Sequence, residues 1–461
     1  MMKGYLTVFL SLSLSVLAGF VLLLTGSAIR NGEKLRLEGD VDIAMNSALA
    51  EFSIPLHERY GLLYVDLTYL GKEPSCANLE SRLRFYLGAN RERDGNGKPW
   101  GVARIGKVSV RGIGTAAQGN GSSMKRQALC YIRDRGIERQ EACIEGYPAR
   151  AEGLEQTDAM EEWRQLQEQI AGMELPVIQN EEGEWEEVLL GNPADRIFGF
   201  SGSDVLYLLG INMGKVGGGR IRTDYISAGK RSDHAGKPQN TLEEEAFRSY
   251  LFEKMGNYRK KKEDGLLKYQ LEYIVCGHGS DEENLRAVIG RLFLWRFAAN
   301  VNQIFGNGGL CGEAQAAAFS LHAVSLKPEF GEPVTRSILY ACAFLETIAD
   351  VKCLLDGGRV EMDKSGWNTG IQQVLEGGLP GAGVSDGEGL TYEQYLACML
   401  ALLSEDTRNL RTMDVMEMDI RYLTGNPLFS MDWCVERFTA DIMAQGGWNY
   451  EYALTRTYGY Y

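Results

Sequence analysis

From Tyr5 to Leu24 the chain reads YLTVFLSLSLSVLAGFVLLL, and no charged residue stands between Lys3 and Arg30. About 20 apolar residues rising 1.5 Å each match the roughly 30 Å hydrocarbon core of a bilayer. Three structures accommodate such a run. A retained transmembrane anchor needs this length. A cleaved secretory signal would use Gly26-Ser27-Ala28 as its peptidase site, but its apolar region is typically about 7–15 residues long. A helix buried in a soluble core usually shows a polar face, which this run lacks. Length and composition favour the anchor, with the lipid bilayer as the partner of residues 5–25. The flanking charges do not set its orientation. Lys3 stands on one side and Arg30, Lys34 and Arg36 on the other, close to a balance.

The helix is expected to continue beyond the membrane. Leu37, Val41, Ala44, Ala48 and Phe52 recur at helical spacing on an otherwise polar background. Pro55 cannot donate to a helix ladder, so the pattern should stop near Ser53. This second half is an amphipathic rod whose stripe must pack on its own domain or on a partner helix.

The remaining chain has the length for two or three cores within 461 residues. Four segments are expected: a membrane anchor (1–28), an amphipathic helix with a β-containing part (29–120), a helix-rich charged insertion (121–265), and a helical core ending in a β-hairpin (266–461). The fold class is α+β. Cys76 to Leu87 reads as a helix, and Val102 to Ile113 alternates as a half-buried strand. Asp94-Gly95-Asn96-Gly97 reads as a turn, and Gly119 to Ser123 as a loop. Lys268 to Val275 places Tyr269, Leu271, Tyr273 and Val275 on one side and is expected to be a strand. Ser280 opens the next helix with Glu283 at the capping-box position. Pro333 to Leu355 is apolar, but Arg336, Glu346 and Asp350 argue against a second membrane span. Thr391 with Gln394 marks another box. Met431, Trp433 and Val435, then Phe438, Ala440 and Ile442, alternate toward a turn at Gln445–Trp448. Tyr450, Tyr452 and Leu454 return as the last strand.

The formal net charge of −14 argues against a nucleic-acid partner, which needs a basic face. The basic run Arg259–Lys262 is read as a solvated loop. The glycine triplet Gly217–Gly219 invites a phosphate-loop reading, but no Gly-Lys-Ser/Thr follows it. The nine cysteines have no C-x-x-C pair, and those in apolar patterns, such as Cys342, Cys353 and Cys398, read as small buried hydrophobes. The four histidines, His57, His234, His278 and His322, show no metalloprotease spacing. His278, between Gly277 and Gly279, is placed on a strand-to-helix turn. No catalytic, cofactor-binding or metal-binding set emerges, and no cofactor is expected.

Three stretches carry a family resemblance: Lys3 to Leu12; Leu37 through Ala50-Glu51-Phe52 to Tyr60-Gly61-Leu62-Leu63; and Leu271 to Ile274, Gly277 and Ser280 to Leu285. Together they resemble the domain of unknown function 5702 family of Gram-positive bacteria. The resemblance implies a layout similar to the pseudopilin-like proteins of tight-adherence (Tad) pilus systems, with the soluble part outside the cell. It also implies pilus or secretion-apparatus proteins as partners. Lys3-Gly4 looks like a prepilin peptidase site, making Gly4 and Tyr5 a candidate processing junction. Phe9 stands where pilins carry a glutamate that neutralises a neighbour's amino terminus, which points away from a major filament subunit. The expected function is a non-enzymatic, membrane-anchored accessory or structural component. The rival readings are a membrane-tethered surface hydrolase and a surface adhesin, the latter suggested by the terminal tyrosines.

Overall fold

The computed structural model describes residues 2–92, 103–173, 177–179, 185–187, 192–212, 216–221, 241–325, 331–364, 366–381 and 389–460. The Asp94–Gly97 turn, His234 and most of the stretch from Gly214 to Gly236 lie outside these residues. In chain order the elements are α1 (Met2–Leu49), α2 (Ile54–Tyr60), β1 (Val65–Asp66), α3 (Cys76–Glu92), β2 (Arg104–Thr115) and α4 (Gln118–Arg135). Next come α5 (Tyr147–Glu155), α6 (Ala159–Ala171), β3 (Val177–Gln179), β4 (Trp185–Glu187), α7 (Ala194–Ser201), α8 (Val205–Leu208) and α9 (Thr241–Lys254). Then follow α10 (Gln270–Cys276), α11 (Asp281–Gly306), α12 (Gly308–Ser325), α13 (Gly331–Leu355), α14 (Ile371–Glu376), α15 (Tyr392–Ala401) and α16 (Glu405–Thr424). The chain closes with β5 (Cys434–Gln445) and β6 (Glu451–Gly459). The expected α+β class holds. Two compact units result, the first drawn from Met1–Ala128 and Met416–Tyr461, the second from Leu129–Ile226 and Asp233–Val415.

In the first unit β5 is the central strand of an antiparallel sheet. β2 pairs along one side, from Arg104↔Gln445 to Thr115↔Val435. β6 pairs along the other side, from Arg437↔Gly459 to Gln445↔Glu451, and β1 pairs with Cys434 and Val435. Phe438, Ala440, Ile442 and Ala444 alternate inward from β5, as the period of a strand requires. Leu37, Val41, Ala44, Met45 and Ala48 of α1 and Leu79, Leu83 and Leu87 of α3 share that core. The amphipathic stripe therefore packs on its own unit. α1 stops at Leu49, earlier than Pro55 alone requires. Ser53 precedes α2, and Pro55 sits in its first turn, where a missing N–H costs nothing. Met431–Trp433 forms a single 3₁₀ turn, and the strand starts only at Cys434.

In the second unit α11 and α13 are buried along most of their length. Trp163 of α6 packs edge-on to Phe198 and stacks with Tyr340, with Phe297 and Phe344 beside it. Of the two anticipated boxes, Ser280 forms its side-chain cap and Thr391 forms the full box. Ser280 Oγ accepts the Glu283 N–H at 3.2 Å. Thr391 and Gln394 make the reciprocal pair, at 3.2 and 3.0 Å.

Lys268 to Val275 is not a strand. Gln270–Cys276 is helix α10, and residues 270 to 275 are all buried. A segment enclosed on every side carries no face periodicity, so its alternating aromatics mimic a strand. The helix ends at Gly277, which adopts φ 73° and gives its N–H to Tyr273 O at 2.7 Å. His278 consequently lies between two helices and not after a strand, and it is exposed.

Candidate functional site: the apolar helix and its clamp

The N-terminal half of α1 projects its side chains away from the fold. Tyr5 is 80% exposed, Phe9 69% and Leu22 71%. Contiguous apolar exposure on this scale is foreign to a water-facing surface. Three hydroxyls along this stretch bond to the helix itself. Ser11 Oγ donates to Val8 O, Ser15 Oγ to Ser11 O and Thr25 Oγ1 to Val21 O, at 2.8–3.0 Å. The helical backbone and these three hydroxyls thus need no water, as residence in hydrocarbon requires. The helix is long and apolar enough to cross a membrane. Gly4 lies in the first turns of α1, followed by the exposed Tyr5.

Past Leu24 the helix is partly covered, with Gly26 and Glu33 buried. The turn between β5 and β6 meets the helix at Arg30 and Glu33. Glu33, 6% exposed, is held on both carboxylate oxygens. It accepts the Gly447 N–H at 3.2 Å and the Tyr452 hydroxyl at 2.9 Å. Tyr452 Oη also lies 3.1 Å from Arg30 O. Burial, then the adjacent Glu33 carboxylate, pushes the Tyr452 phenol up to about 12, so it remains a donor. The approach is close enough to require glycine. A Cβ on Gly446 would lie 2.5 Å from Glu33 Oε2 and 2.5 Å from Tyr452 Cε2. The Arg30 guanidinium sits 5.7 Å from the Tyr450 ring centroid, and Tyr450 meets Tyr452 edge-on at 5.0 Å. Farther along, Arg456 lies 3.5 Å from Glu38 and 3.6 Å from Asp42, and Tyr460 Oη bonds to Leu49 O. β6 is fastened to α1 along the whole non-apolar half of the helix. Tyr452 and Tyr460 are thereby occupied by internal bonds.

Two cavities offer other chemistry. One in the first unit, about 280 Å3, is lined by Phe52, Ile54, Tyr69, Leu70 and Phe429. Its carboxylates are engaged: Glu51 with Arg82 and Tyr86, Asp66 with Thr68. One in the second unit, about 430 Å3, is lined by Tyr258, Lys261, Tyr269, Lys352 and Asp356. Neither cavity presents a pair of unengaged carboxylates, the arrangement needed for general acid–base hydrolysis.

The basic run is less free than a solvated loop. Lys260 pairs with Glu141 at 2.8 Å, Arg259 donates to Leu355 O at 2.7 Å, and Lys262 to Lys254 O at 3.3 Å. The glycine triplet serves packing. Gly217 N–H donates to the Tyr269 hydroxyl, and a Cβ on Gly219 would lie 2.2 Å from Leu266 O. The Asp281 carboxylate beside both glycines would repel a phosphate. Asp281 itself, at the positive end of the α11 dipole, also accepts the Lys268 and Tyr269 N–H groups at 3.1 Å.

Sequence reasoning missed a buried ionic cluster in the second unit. Arg296 donates to Asp350 at 2.9 Å, and Lys364 donates to Asp350 at 2.7 Å and to Glu346. Asn300 and the Thr369 N–H complete it, at 3.0 and 2.8 Å. Burial acts against the Asp350 charge, but Arg296 and Lys364 outweigh it and hold the carboxyl below its ordinary range. Glu346 and Asp350 one turn apart on α13 are the available signal. Their cations come from elsewhere in the chain. All nine cysteines are free thiols, with Cys342, Cys353, Cys398 and Cys434 buried. Among the described residues no group of His, Cys, Asp and Glu side chains is arranged to hold a metal ion.

Fold and site define an α+β protein headed by one membrane-length apolar helix that is locked to its sheet. The chain belongs to the domain of unknown function 5702 family, a family of unknown function whose model matches residues 183–446, more than half of the chain. The stretch from Leu271 to Leu285 lies within that match. No curated protein and no solved structure matches the chain.

Proposed function

We propose that the chain is a single-pass, non-enzymatic, extracytoplasmic component of a Tad-like pilus or secretion apparatus, held in the cell membrane by residues 5–25. The observation that carries this reading is the continuity of α1. One unbroken helix has an exposed apolar first half and a second half in the core of the sheet. Force or position imposed on the apolar half therefore passes directly into the folded unit, which suits a subunit of an assembly. The resemblance to pseudopilin-like proteins of Gram-positive bacteria supports the same reading and supplies the outward orientation. Phe9 at the place of the pilin glutamate favours an accessory role over that of a filament subunit.

N-terminal sequencing of membrane-extracted protein, combined with protease treatment of intact cells, tests this. A start at Tyr5 marks pilin-like processing, and a start at Met1 or Met2 marks a plain anchor. A start at Ile29, or a soluble region resistant to external protease, overturns the membrane-held outward reading. In-cell crosslinking from α1 should recover pilus or secretion-apparatus proteins. Recovery of only lipid and unrelated proteins removes the assembly role.

A further inference from the structure

The clamp lies at a height that helix geometry dictates. Arg30 lies six residues beyond Leu24, a rise of about 9 Å. Each headgroup layer outside the hydrocarbon core is roughly 5–8 Å thick. With Leu24 at the hydrocarbon boundary, the Arg30 backbone lies about 1–4 Å beyond that layer, but its side chain turns back toward the bilayer, with Nε 3.2 Å from Gly26 O, and carries the guanidinium into the layer. Tyr450 beside the Arg30 guanidinium brings the β5–β6 turn to that level, and Glu33 on the Gly447 N–H holds the turn to the helix just above it. Only Thr25 to Ile29, all helical, stand between the end of the apolar run and Arg30.

We propose that the turn from Gly446 to Tyr450, together with Arg30, is a lipid-contacting site seated in the phosphate layer of the bilayer. This rests on the reading of residues 5–25 as a membrane anchor. Tyr450 is 47% exposed and carries a polar tip on an apolar ring, the side-chain type that collects at membrane interfaces. Arg30 gives its Nε–H to Gly26 O at 3.2 Å, and no carboxylate among the described residues forms an ion pair with it. Its remaining guanidinium donors suit a lipid phosphate, which accepts charge-assisted bonds from arginine. Lys34, four residues on, adds positive charge at the same end of the rod. The site's function is orientation: the first unit stands on the bilayer at two points, the helix and the turn, and so resists tilting relative to the membrane plane.

The test uses the full chain in vesicles of phosphatidylglycerol and phosphatidylcholine. Photoreactive benzoylphenylalanine is placed singly at Phe20, Tyr450 or Leu70, and adducts are read by mass spectrometry. Leu70 is 80% exposed and follows β1, which pairs with the end of β5 opposite the turn, roughly 35 Å away along the strand. Phospholipid adducts are expected at positions 20 and 450 and not at 70. Adducts at 20 with position 450 as inert as 70 overturn the proposal while leaving the anchor intact. Absence of adducts at 20 overturns the anchor and the headgroup site with it. A purely structural clamp would also leave Arg30→Gln without effect on the adduct yield at 450. The proposal expects that yield to fall severalfold.

Discussion

The Tyr452 hydroxyl donates to Glu33 Oε2 at 2.9 Å, joining two residues 419 positions apart. The bond fastens the last strand to the helix that opens the chain. Replacing Glu33 with alanine leaves the Gly447 N–H without its acceptor and the Tyr452 hydroxyl with only the Arg30 carbonyl. Gly447 is exposed and its N–H can turn to water, so the cost falls at the low end of the range of about 1–3 kcal/mol for an orphaned donor. Glu33→Ala should lower the melting temperature of the first unit in detergent, and Glu33→Gln should recover much of the loss. Equal melting of Glu33→Ala and the parent protein would mean that the clamp contributes no stability.

Glu272 makes stability depend on pH. It is fully buried on α10 and accepts the Tyr258 N–H and the Tyr392 hydroxyl, both at 2.7 Å. Among the described residues no hydrogen-bond partner serves Oε2. Burial is the larger influence and pushes its carboxyl up to about 7, against the pull of those two bonds. The folded state therefore keeps its proton where the unfolded chain has lost it. The carboxyl costs nothing below about pH 4.5, and stability falls as pH rises from there to about 7. The full loss is on the order of 3 kcal/mol. Glu272→Gln should melt higher than the parent above pH 7 and converge with it near pH 4.5. Parallel melting curves at every pH would count against this.

Asp350 is the shared acceptor of two buried cations. Asp350→Asn removes the carboxylate that Arg296 and Lys364 share, leaving Arg296 without its ion-pair partner and Lys364 with Glu346 alone. Breaking one partner of a buried pair costs about 3–5 kcal/mol. The wild-type carboxyl is held low, so its stabilising effect is present above the ordinary carboxylate range and is lost as pH falls through the folded value. Urea unfolding of the variant at pH 7 should show a lower midpoint for the second unit. Replacing Arg296 with methionine in the same background should restore part of it, because the unbalanced charge is then reduced.

The stripe on α1 makes a paired prediction. Met45 is fully buried against the sheet and Ile43 is 54% exposed. Met45→Ala should destabilise the first unit by about 2–5 kcal/mol. Ile43→Ala, two positions earlier on the outer face, should stay within about 0.5 kcal/mol. Equal effects in denaturant titrations would mean that the helix packs by another face.

Elements with a one-sided environment are legible from residue spacing alone. Leu37, Val41, Ala44 and Ala48 announce a buried helix face because their other neighbours are polar. Phe438, Ala440 and Ile442 announce a strand for the same reason at the other period. Thr391 with Gln394 is legible because a cap is satisfied within four residues. α10 reads as a strand because Leu271 to Val275 are enclosed on all sides, and enclosure erases the polar half of the pattern. Gly277 is the signal that points the other way, since a left-handed glycine after such a run ends a helix. The Arg296–Asp350–Lys364 cluster is illegible because its members come from separate segments. Each of those charges, taken alone, reads as surface.

Local spacing is enough to specify the apolar span from Tyr5 to Leu24, the helical stripe beyond it and the closing hairpin. All three follow from the free energy of removing apolar side chains from water. The meeting of the hairpin turn with the helix at Glu33, soon after the apolar run, is a property of the folded chain alone. It depends on a contact across almost the entire sequence, and long-range pairing of polar groups leaves no periodic trace. The same holds for Gly446, whose missing side chain has meaning only once Glu33 and Tyr452 occupy the space beside it.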